Sequence, residues 1–549
     1  MKSRIGLIAG MYITTFLVCI LIVSSIVWLV GWHITPIVLP LALVMALVVF
    51  AVMKASRKEQ IIAFAISIGA ILIATLIETF VYDVSYDGNA YHQPIIYALA
   101  NGWNPIYEHN NAVISDAWNM NIWIDHYCKG AETMAASFLA ITGNIESGKA
   151  VNLLTPIALF LIVYDFFKER FVIQLSIRKR LLYSLGIAFS MVMVGQITSY
   201  YIDYIGYFIF VLALLGVYDI VDTKGNEKVG YWMLVCCIMI AASVKFNMLF
   251  WAGYVVACGL IVMLVRRNYK NALRLALVSA SAAIISVAVL SYNPFVTNTM
   301  DHANPFYPLF EKNILAGDSP ARNAQPPYMY DAPRYKQVLL SYFQRPSNDM
   351  KSTAYVPPYR ISKTNIYRSG YCCTNVGGGG LFFIEILLVT FAIFALFRKG
   401  KYYKKFCIAA IALIATLFIL PLGSNFRYVP FIYLLPFLGL LYIETCEEQT
   451  LVSRVMKYIL SCLLVFNISL CAVITVSTNY IEQKVTMQTL KKLEGKGGES
   501  FYTMNWGFCN KLYHGEMNGK EPIAPLLPED QYEREKFIGG PFVYLLKKW

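Results

Sequence analysis

The chain has few charged residues and no recognisable motif for binding a nucleotide. Only 14% of its 549 residues are charged, whereas 58% are hydrophobic, and the mean hydropathy is +0.54. Soluble domains are about one-quarter charged. The sequence has no G-x-x-x-x-G-K-[ST] loop, no G-x-G-x-x-G turn before a helix and no G-x-S-x-G elbow. This composition excludes a soluble protein, and the missing motifs disfavour nucleotide-driven chemistry.

Internal repeats and metal-binding spacings are also absent. No repeat supports an inverted-repeat transporter, and His92, His109 and His126 do not have the spacing of a metal site. Most of the twelve cysteines lie in apolar runs, where they are small packing residues. Four cysteines are predicted outside the membrane: Cys128, Cys372, Cys373 and Cys509. One sequence does not determine which of them would form disulfides with one another.

The sequence does contain many apolar runs of about twenty residues, the length that a helix needs to cross a bilayer. They predict an all-α polytopic membrane protein with about thirteen transmembrane helices. The predicted spans are 6–30, 35–53, 61–80, 147–167, 181–198, 204–222, 230–245, 248–265, 272–291, 379–397, 406–422, 428–444 and 457–477. The spans 230–245 and 248–265 are divided at the turn "VKFN".

Lysine and arginine in short loops predict the orientation, because such loops tend to stay cytoplasmic. With thirteen crossings the basic loops all fall on one side, together with the N-terminal "MKSR". These loops are "KASRKEQ" at 54–60, "FKERFVIQLSIRKR" at 167–180, "RRNYK" at 266–270 and "RKGKYYKK" at 398–405. The N-terminus is therefore predicted inside. The net charge of +13 reflects this bias, and no nucleic-acid partner is predicted.

This topology divides the chain into five parts. An N-terminal transmembrane pair (1–60) precedes a transmembrane core (61–291), which carries the first outer loop (81–146). A large outer loop (292–378), the C-terminal transmembrane helices (379–477) and an outer tail (478–549) follow. Within the first outer loop, short helices are predicted from Pro94 to Gly102 and near 130–141, since proline is tolerated in a first helical turn and glycine often ends a helix.

The acids of the outer side are the candidates for catalysis. Asp87 follows a spanning helix by a few residues and lies beside Gly88 and aromatic residues that suit a sugar site. A carboxylate at the lipid–water boundary can act as general base on an acceptor hydroxyl. Asp83 would share the site as a second acid, and Asp203, at the outer end of two spans, would come near the same place.

Two basic residues are candidates for binding a phosphate. Because no nucleotide motif is present, energy for a bond formed outside would arrive in an activated, lipid-carried donor. Arg427, in "GSNFRYVPF", offers a fixed fork that matches phosphate. Lys245, in the turn "VKFN", is the second candidate.

Four patches of the sequence resemble the GT-C superfamily of integral membrane glycosyltransferases, which use polyprenyl-phosphate-linked sugars. The patches are "YDGNAYHQP" at 86–94, the stretch 126–152 that begins "HYCKGAE", "NPFVTNTMDHANPFYPL" at 293–309 and "FRYVPF" at 426–431. They occur in the order that the superfamily has, over about residues 61–445. One departure is that two predicted spans precede the helix leading to the first loop, where the superfamily often has one.

The resemblance implies a GT-C-like fold in a bacterial inner membrane, with the active site on the outer face. Asp87 matches the first-loop aspartate and would be the catalytic base, and the phosphate of the donor would lie near Arg427. Substrate contacts would come from the matched patches, at Tyr91, His92, His126, Lys129 and Glu132.

These observations predict a glycosyltransferase that moves a sugar from a polyprenyl-phosphate donor to a hydroxyl of a glycan or glycolipid acceptor, with inversion. A carboxylate-bound Mg²⁺ or Mn²⁺ stays open as a cofactor, because hard cations need only oxygen ligands. Three alternatives also stay open: a glycan polymerase or ligase, a lipid or sugar transporter, and a non-catalytic assembly partner.

Overall fold

The computed structural model is a helical bundle with polar loops at its two ends. It describes residues 4–109, 121–222, 225–309, 326–347, 355–370, 376–420, 422–447, 450–494, 500–502, 532–536 and 542–546. The predicted outer cysteines Cys372, Cys373 and Cys509 lie outside the described residues. Cys128 is described, and it is buried as a free thiol.

The α-helices are numbered here in chain order. They are α1 (Ile5–Leu29), α2 (Val38–Met45), α3 (Val48–Val52), α4 (Arg57–Thr79), α5 (Gln93–Ala100), α6 (Asn121–His126), α7 (Gly130–Thr142), α8 (Ala150–Glu169), α9 (Ile177–Ala188), α10 (Met191–Gln196), α11 (Asp203–Val221), α12 (Glu227–Val244), α13 (Phe246–Val265), α14 (Tyr269–Ile285), α15 (Tyr292–His302), α16 (Arg334–Tyr342), α17 (Lys363–Arg368), α18 (Phe383–Leu396), α19 (Tyr403–Ile419), α20 (Leu434–Glu444) and α21 (Leu451–Glu494).

Short turns of other helical types connect them. A π-helical turn (Gly88–His92) precedes α5, and another (Ser286–Leu290) extends α14. The 3-10 turns are Ile145–Lys149, Pro327–Met329, Phe426–Tyr428 and Pro430–Tyr433.

Eight helical segments in the described part of the chain are long and apolar enough to cross a membrane. They are Ile5–Leu29, Arg57–Thr79, Ile145–Glu169, Asp203–Val221, Glu227–Val244, Phe246–Val265, Tyr269–Leu290 and Leu451–Gln488. Shorter apolar helices lie at Val38–Val52, Phe383–Leu396 and Pro430–Glu444. The chain is therefore a polytopic helical membrane protein suited to a lipid bilayer, and the count of thirteen crossings stays a prediction.

Two of the predicted spans are interrupted. The span at 35–53 consists of two helices, α2 and α3. Between them the backbone N–H groups of Leu47, Val49 and Phe50 each donate to the carbonyl three residues earlier, which tightens the helix at this point. The span at 181–198 consists of α9 and α10, since Phe189 and Ser190 leave the helical conformation between them. The predicted division at "VKFN" is confirmed, because α12 ends at Val244 and α13 begins at Phe246.

The predicted basic loops meet at one end of the bundle, which we call the basic end. Contacts between helix ends define it: Arg4 N to Glu59 (3.4 Å), Leu7 N to Asp165 (2.7 Å), Arg170 Nε to Asp219 (3.5 Å), Arg266 to the Val221 carbonyl (3.0 Å), Lys179 to Glu444 (2.5 Å) and the rings of Tyr403 and Tyr442, whose centres are 5.8 Å apart. The opposite end, which we call the loop end, carries the connections from α4 to α5, α10 to α11, α12 to α13 and α19 to α20.

Burial differs between the central and the outer helices. The central helices α1 and α11 are buried over most of their length, and α1 packs against α4 and α8 while α11 packs against α12 and α13. In contrast, α14 and α21 leave most of their residues unburied. Leu273, Leu277 and Ile284 of α14 are more than half exposed. An outward-facing apolar row of this kind fits lipid rather than water.

The first loop at the loop end is shaped by the contact between Asp83 and Gly88. The Asp83 carboxylate is fully buried and accepts from the backbone N of Ser85 (2.9 Å). A Cβ added at Gly88 would lie 1.7 Å from Asp83 Oδ2 and 2.5 Å from the Ser85 hydroxyl. A side chain at position 88 would displace the buried Asp83 carboxylate, so glycine allows the turn beside Asp87 to pack directly against Asp83.

The two helices predicted in this loop are both present. Helix α5 has proline in its first turn, and α7 ends at Gly143, which has a left-handed conformation with φ of +68°. Positive φ favours glycine at a helix C-terminus.

The last described segments differ in type from the rest. Helix α21 continues to Glu494, well past the predicted span at 457–477. Beyond it lies a three-stranded antiparallel sheet, β1 (Ser500–Tyr502), β2 (Tyr532–Lys536) and β3 (Phe542–Leu546), in the order β1-β3-β2. Phe501 pairs with Tyr544, which also pairs with Arg534.

Substituting Gly88 tests the packing of the first loop. We expect Gly88→Ala to lower the thermal unfolding midpoint by several degrees, because the added methyl group overlaps the buried Asp83 carboxylate. The measurement is tryptophan fluorescence of the purified protein in lipid nanodiscs during heating. Gly69→Ala in α4 is the control, since a Cβ there meets no atom within 4 Å. Equal unfolding midpoints for both variants would contradict this packing.

Candidate active site

Asp203 organises the polar groups at the loop end. It is the first residue of α11 and is fully buried. Its carboxylate accepts hydrogen bonds from Lys245 Nζ (2.9 Å), Arg427 Nε (2.8 Å) and Gln196 Nε2 (3.0 Å). The side chain of Gln196 also accepts from the backbone N of Tyr204 (3.1 Å). Asp203 thereby holds two cations that are 42 and 224 residues away in the chain.

Arg427 joins Asp203 to Asp87. It lies in the 3-10 turn before α20, where the Asn425 side chain accepts from its backbone N at 3.0 Å. Its Nη2 donates to Asp87 Oδ2 at 2.7 Å while its Nε donates to Asp203. The ring of Tyr201 lies 4.6 Å from the guanidinium carbon, which adds a cation–π contact. The planar guanidinium is thus fixed between two carboxylates and an aromatic ring.

Lys245 reaches the same place from the turn between α12 and α13. Its backbone is extended, with φ of −162° and ψ of 137°, so its side chain leaves the line of the two helices. The Nζ atom lies 2.9 Å from Asp203 Oδ1 and 4.8 Å from the centre of the Tyr428 ring. Lys245 and Arg427 therefore approach Asp203 from two different helix connections.

We call Asp87, Asp203, Lys245 and Arg427 the charge quartet. Its two acids and two bases balance formally, as groups held away from water must. The side chain of Asp203 is 1% exposed, whereas those of Asp87 and Arg427 are 17% and 15% exposed. Asp87 is consequently the carboxylate that a ligand can reach, and Asp203 is the one that holds the cations in place.

Tyr91 lies beside the charge quartet. Burial, and secondly the carboxylate of Asp87, raise the pKa of Tyr91 well above its ordinary value. The phenol therefore keeps its proton near neutral pH and acts as a donor or acceptor rather than as an anion. Its ring also contacts that of His92, with the centres 4.3 Å apart.

The structure places Asp83 in a separate buried cluster. Its backbone N donates to Glu146 Oε2 (2.9 Å), and Lys149 lies 3.1 Å from that acid and 3.4 Å from Glu78. Burial, and then the charge of Glu146, raise the pKa of Asp83. The structure therefore gives Asp83 a role in positioning the first loop, and it does not bring this carboxylate to Arg427 in the way that it brings Asp87.

His92 and Glu132 form a buried pair. His92 Nδ1 lies 2.5 Å from Glu132 Oε1, and both side chains are 3% exposed. The pair connects the π-helical turn next to Asp87 with the first turn of α7. It positions the turn that carries Asp87, while direct contact of either residue with a substrate stays a prediction.

Lys129 has acceptors for all three of its ammonium protons. Its Nζ donates to the carbonyls of Asp125 (2.8 Å) and Tyr127 (2.9 Å) and to Asn293 Oδ1 (2.6 Å). Burial lowers the pKa of Lys129 to about 8. Lys129 thus ties the loop before α7 to the start of α15, and a substrate contact by this residue stays a prediction.

His126, at the end of α6, belongs to a group of aromatic rings that includes residues at the end of α15 and just after it. Its Nδ1 lies 2.9 Å from Asn298 Oδ1, and its ring contacts those of His302 and Tyr307. Burial lowers the pKa of His126. Among the described residues, these rings make no direct contact with the charge quartet. Substrate binding by His126 stays a prediction.

The structure brings together four of the predicted residues and adds three that sequence reasoning missed. The added residues are Gln196, Tyr201 and Tyr428, which orient Asp203, Arg427 and Lys245 respectively. A signal was present for two of them, because Tyr201 and Tyr428 are close neighbours of Asp203 and Arg427 in the sequence.

A metal site is not evident among the described residues, where no group of three His, Cys, Asp or Glu side chains is arranged to hold an ion. The carboxylates of Asp87 and Asp203 face a guanidinium and an ammonium group instead. This donor set does not fit a cation, so no reaction step is assigned to one. Mg²⁺ or Mn²⁺ as a cofactor stays open, as it was from the sequence.

Fold and site together define a polytopic helical membrane protein with a cluster of paired charges at one end. Comparison of the chain with protein-family models, with curated proteins and with solved structures finds no match. The case for a function therefore rests on the residues themselves.

The two aspartates should differ in their contribution to stability. We expect Asp203→Asn to cost about 3–5 kcal/mol, because it leaves two cations facing a neutral amide in a buried site. Asp87→Asn should cost about 1 kcal/mol or less, since Arg427 keeps Asp203 and the position is partly exposed. Thermal unfolding in nanodiscs measures the difference, with the exposed Asp301→Asn as control. Equal shifts for the two variants would contradict the assigned roles.

Proposed function

We propose that the protein is a membrane glycosyltransferase of GT-C type. It transfers a sugar from a polyprenyl-phosphate donor to a hydroxyl of a glycan or glycolipid acceptor, with inversion at the anomeric carbon. The observation that carries the proposal is the charge quartet, in which an accessible carboxylate is in contact with a guanidinium group. The proposal assigns the carboxylate as the base and the guanidinium as the cation that binds the leaving phosphate.

Asp87 is the general base of this proposal. Its carboxylate is the accessible one, at 17% exposure, and it lies in a turn whose shape Gly88 and Asp83 determine. The acceptor oxygen gives its proton to Asp87 and forms a bond to the anomeric carbon. The bond from that carbon to the phosphate oxygen breaks, and its electron pair leaves with the lipid phosphate.

Arg427 and Lys245 stabilise the leaving phosphate. Charge-assisted hydrogen bonds from preorganised donors act most strongly where negative charge develops. Both cations are already held by Asp203, so they need little rearrangement when a phosphate arrives. A phosphate that takes the Nη2 atom of Arg427 also displaces the Asp87 carboxylate, which is then available as a base. In this scheme, donor binding prepares the catalytic base.

The position of charged residues favours an enzyme over a transporter. Transporters place ionisable residues at mid-bilayer depth, often on broken helices. In the eight long apolar segments that the structure describes, the charged residues lie within two turns of an end. A glycan polymerase or ligase shares the lipid-linked donor chemistry, and a donor that carries a long glycan on diphosphate would favour that alternative.

The outer face of a bacterial inner membrane is part of the proposal. The basic loops define one end of the bundle, and such loops tend to remain in the cytoplasm. The charge quartet lies at the opposite end. Nucleotide sugars do not reach that side, which agrees with a donor carried by a lipid.

Transfer by the Asp87→Asn variant tests this proposal. Wild-type protein in lipid, given a panel of polyprenyl-phosphate sugars and an extract that contains acceptors, should release free polyprenyl phosphate. The variant should release it at least a hundredfold more slowly, because a positioned general base contributes about 10²–10⁴-fold.

The control for this assay is Asp301→Asn, which should keep wild-type turnover. Near-normal transfer by Asp87→Asn would overturn the assignment of the base. If the wild-type protein released no polyprenyl phosphate from any donor, the polymerase and transporter alternatives would be favoured instead. The same assay in sealed right-side-out vesicles, with an acceptor that does not cross the membrane, tests the orientation.

A further inference from the structure

The connection between α18 and α19 concentrates positive charge at the basic end. Its sequence is "RKGKYYKK" at 398–405, which contains five basic residues and no acid. The five basic side chains are all exposed: Arg398, Lys399, Lys401, Lys404 and Lys405. This connection therefore presents several cations close together at the surface of the protein.

Several cations of the other connections at the basic end are paired with acids. These pairs are Arg170 with Asp219, Lys179 and Lys457 with Glu444, and Arg274 with Glu227. Within the residues that the structure describes, no acid forms an ion pair with the five basic residues of the α18–α19 connection. Their charge is therefore available to an anion from outside the chain.

The connection is held in place by the side chain of Tyr442 in α20. The Tyr442 hydroxyl donates to the Phe397 carbonyl, and its ring centre lies 5.8 Å from that of Tyr403. The chain passes so close to this hydroxyl that a Cβ added at Gly400 would lie 2.5 Å from its oxygen. Helices α18 and α19 both pack against α20. The basic side chains thus extend from a turn with a fixed backbone.

Two of the lysines contact one aromatic ring. The Nζ atoms of Lys401 and Lys405 lie 5.7 Å and 5.8 Å from the centre of the Tyr402 ring. Cation–π contacts form within about 6 Å of a ring centre, and tyrosine is enriched where a membrane meets water. Both ammonium groups are therefore brought to a ring of the type that membrane interfaces favour.

An apolar stripe of α19 continues from the same connection. Lys404, Ile408, Ile411 and Phe418 are separated by four, three and seven residues, so they lie on one face of the helix. Ile408 and Ile411 are 66% and 65% exposed, and Phe418 is also exposed. This face thus carries an ammonium group at the basic end and apolar side chains beyond it. A phospholipid has the same order of groups, with a charged headgroup followed by acyl chains.

We propose that the α18–α19 connection binds the headgroup of an anionic phospholipid, with an acyl chain along the exposed stripe of α19. Charge complementarity selects this occupant, because basic residues beside a membrane attract anionic headgroups. Polyprenyl phosphate also joins a phosphate to a hydrocarbon chain, but the charge quartet lies at the opposite end of the bundle. The proposed lipid site is therefore separate from the proposed donor site, and it does not depend on the transferase function.

Lipid binding by a triple lysine variant tests this site. Native mass spectrometry of the full chain, titrated with phosphatidylglycerol or phosphatidylcholine, measures the affinity for each lipid. We expect the wild-type protein to bind phosphatidylglycerol more tightly. The variant Lys401→Gln/Lys404→Gln/Lys405→Gln should bind it at least about tenfold more weakly, because each basic residue beside an anionic lipid contributes about fivefold.

The matched control removes three charges from other connections at the same end. The variant Lys54→Gln/Lys58→Gln/Lys270→Gln changes three exposed lysines and should bind phosphatidylglycerol as wild type does. Equal affinity of the wild-type protein for the two lipids, or equal affinity of the two triple variants for phosphatidylglycerol, would overturn the site.

Polyprenyl phosphate distinguishes the two sources of a lipid phosphate. Its binding should be unchanged in the variant of the α18–α19 connection. Loss of polyprenyl phosphate binding there, with phosphatidylglycerol binding retained, would overturn the proposal and assign the connection to the donor lipid. Thermal unfolding in phosphatidylcholine nanodiscs checks that the variants are folded. If the triple variant unfolds, Lys404→Gln alone takes its place and should bind phosphatidylglycerol about fivefold more weakly.

Discussion

The contact of Asp203 with Arg427 and Lys245 is the interaction on which the arrangement of the loop end depends. Three helix connections meet there, and each brings a group that would be costly to bury alone. Asp203 is the only fully buried residue of the charge quartet, and Gln196 donates a hydrogen bond to its carboxylate. Because Asp203 holds both cations, Asp87 can remain partly exposed at the edge of the site. A buried acid thus sets the geometry, and the accessible acid is the proposed base.

The bilayer explains why polar groups are concentrated in this way. Lipid offers no hydrogen-bond partners, so charged side chains must pair with one another at the ends of the spans. The charge quartet is one solution, and the cluster around Lys149 is another. The second cluster lies behind the first loop, where Asp83 and Gly88 determine the turn that presents Asp87. The two clusters therefore have different roles, one in positioning the loop and one in forming the proposed site.

Much of this arrangement could be predicted from the sequence, because helix length, basic loops and turn residues act locally. Asp87, Asp203, Lys245 and Arg427 all lie where spans end on one side, and this explains why they meet. The role of Asp83 could not be predicted, since its burial depends on a partner in another helix. The contacts of Gln483 with Phe80 and Tyr82 could not be predicted, because the last span was expected to end at residue 477 and the helix continues to Glu494. A helix boundary placed too early assigned Gln483 to the tail.

Binding of polyprenyl phosphate to the purified protein tests most directly whether Arg427 binds a phosphate in competition with the carboxylate of Asp87. We expect Arg427→Gln to weaken binding at least tenfold, whereas Asp87→Asn should bind as tightly as wild type or several-fold more tightly, because the competing carboxylate is gone. Arg427→Lys, which keeps the charge, should fall between them. Wild-type affinity in Arg427→Gln, or weaker binding in Asp87→Asn, would contradict the claim that the charge quartet binds phosphate through Arg427 and that Asp87 competes with that phosphate.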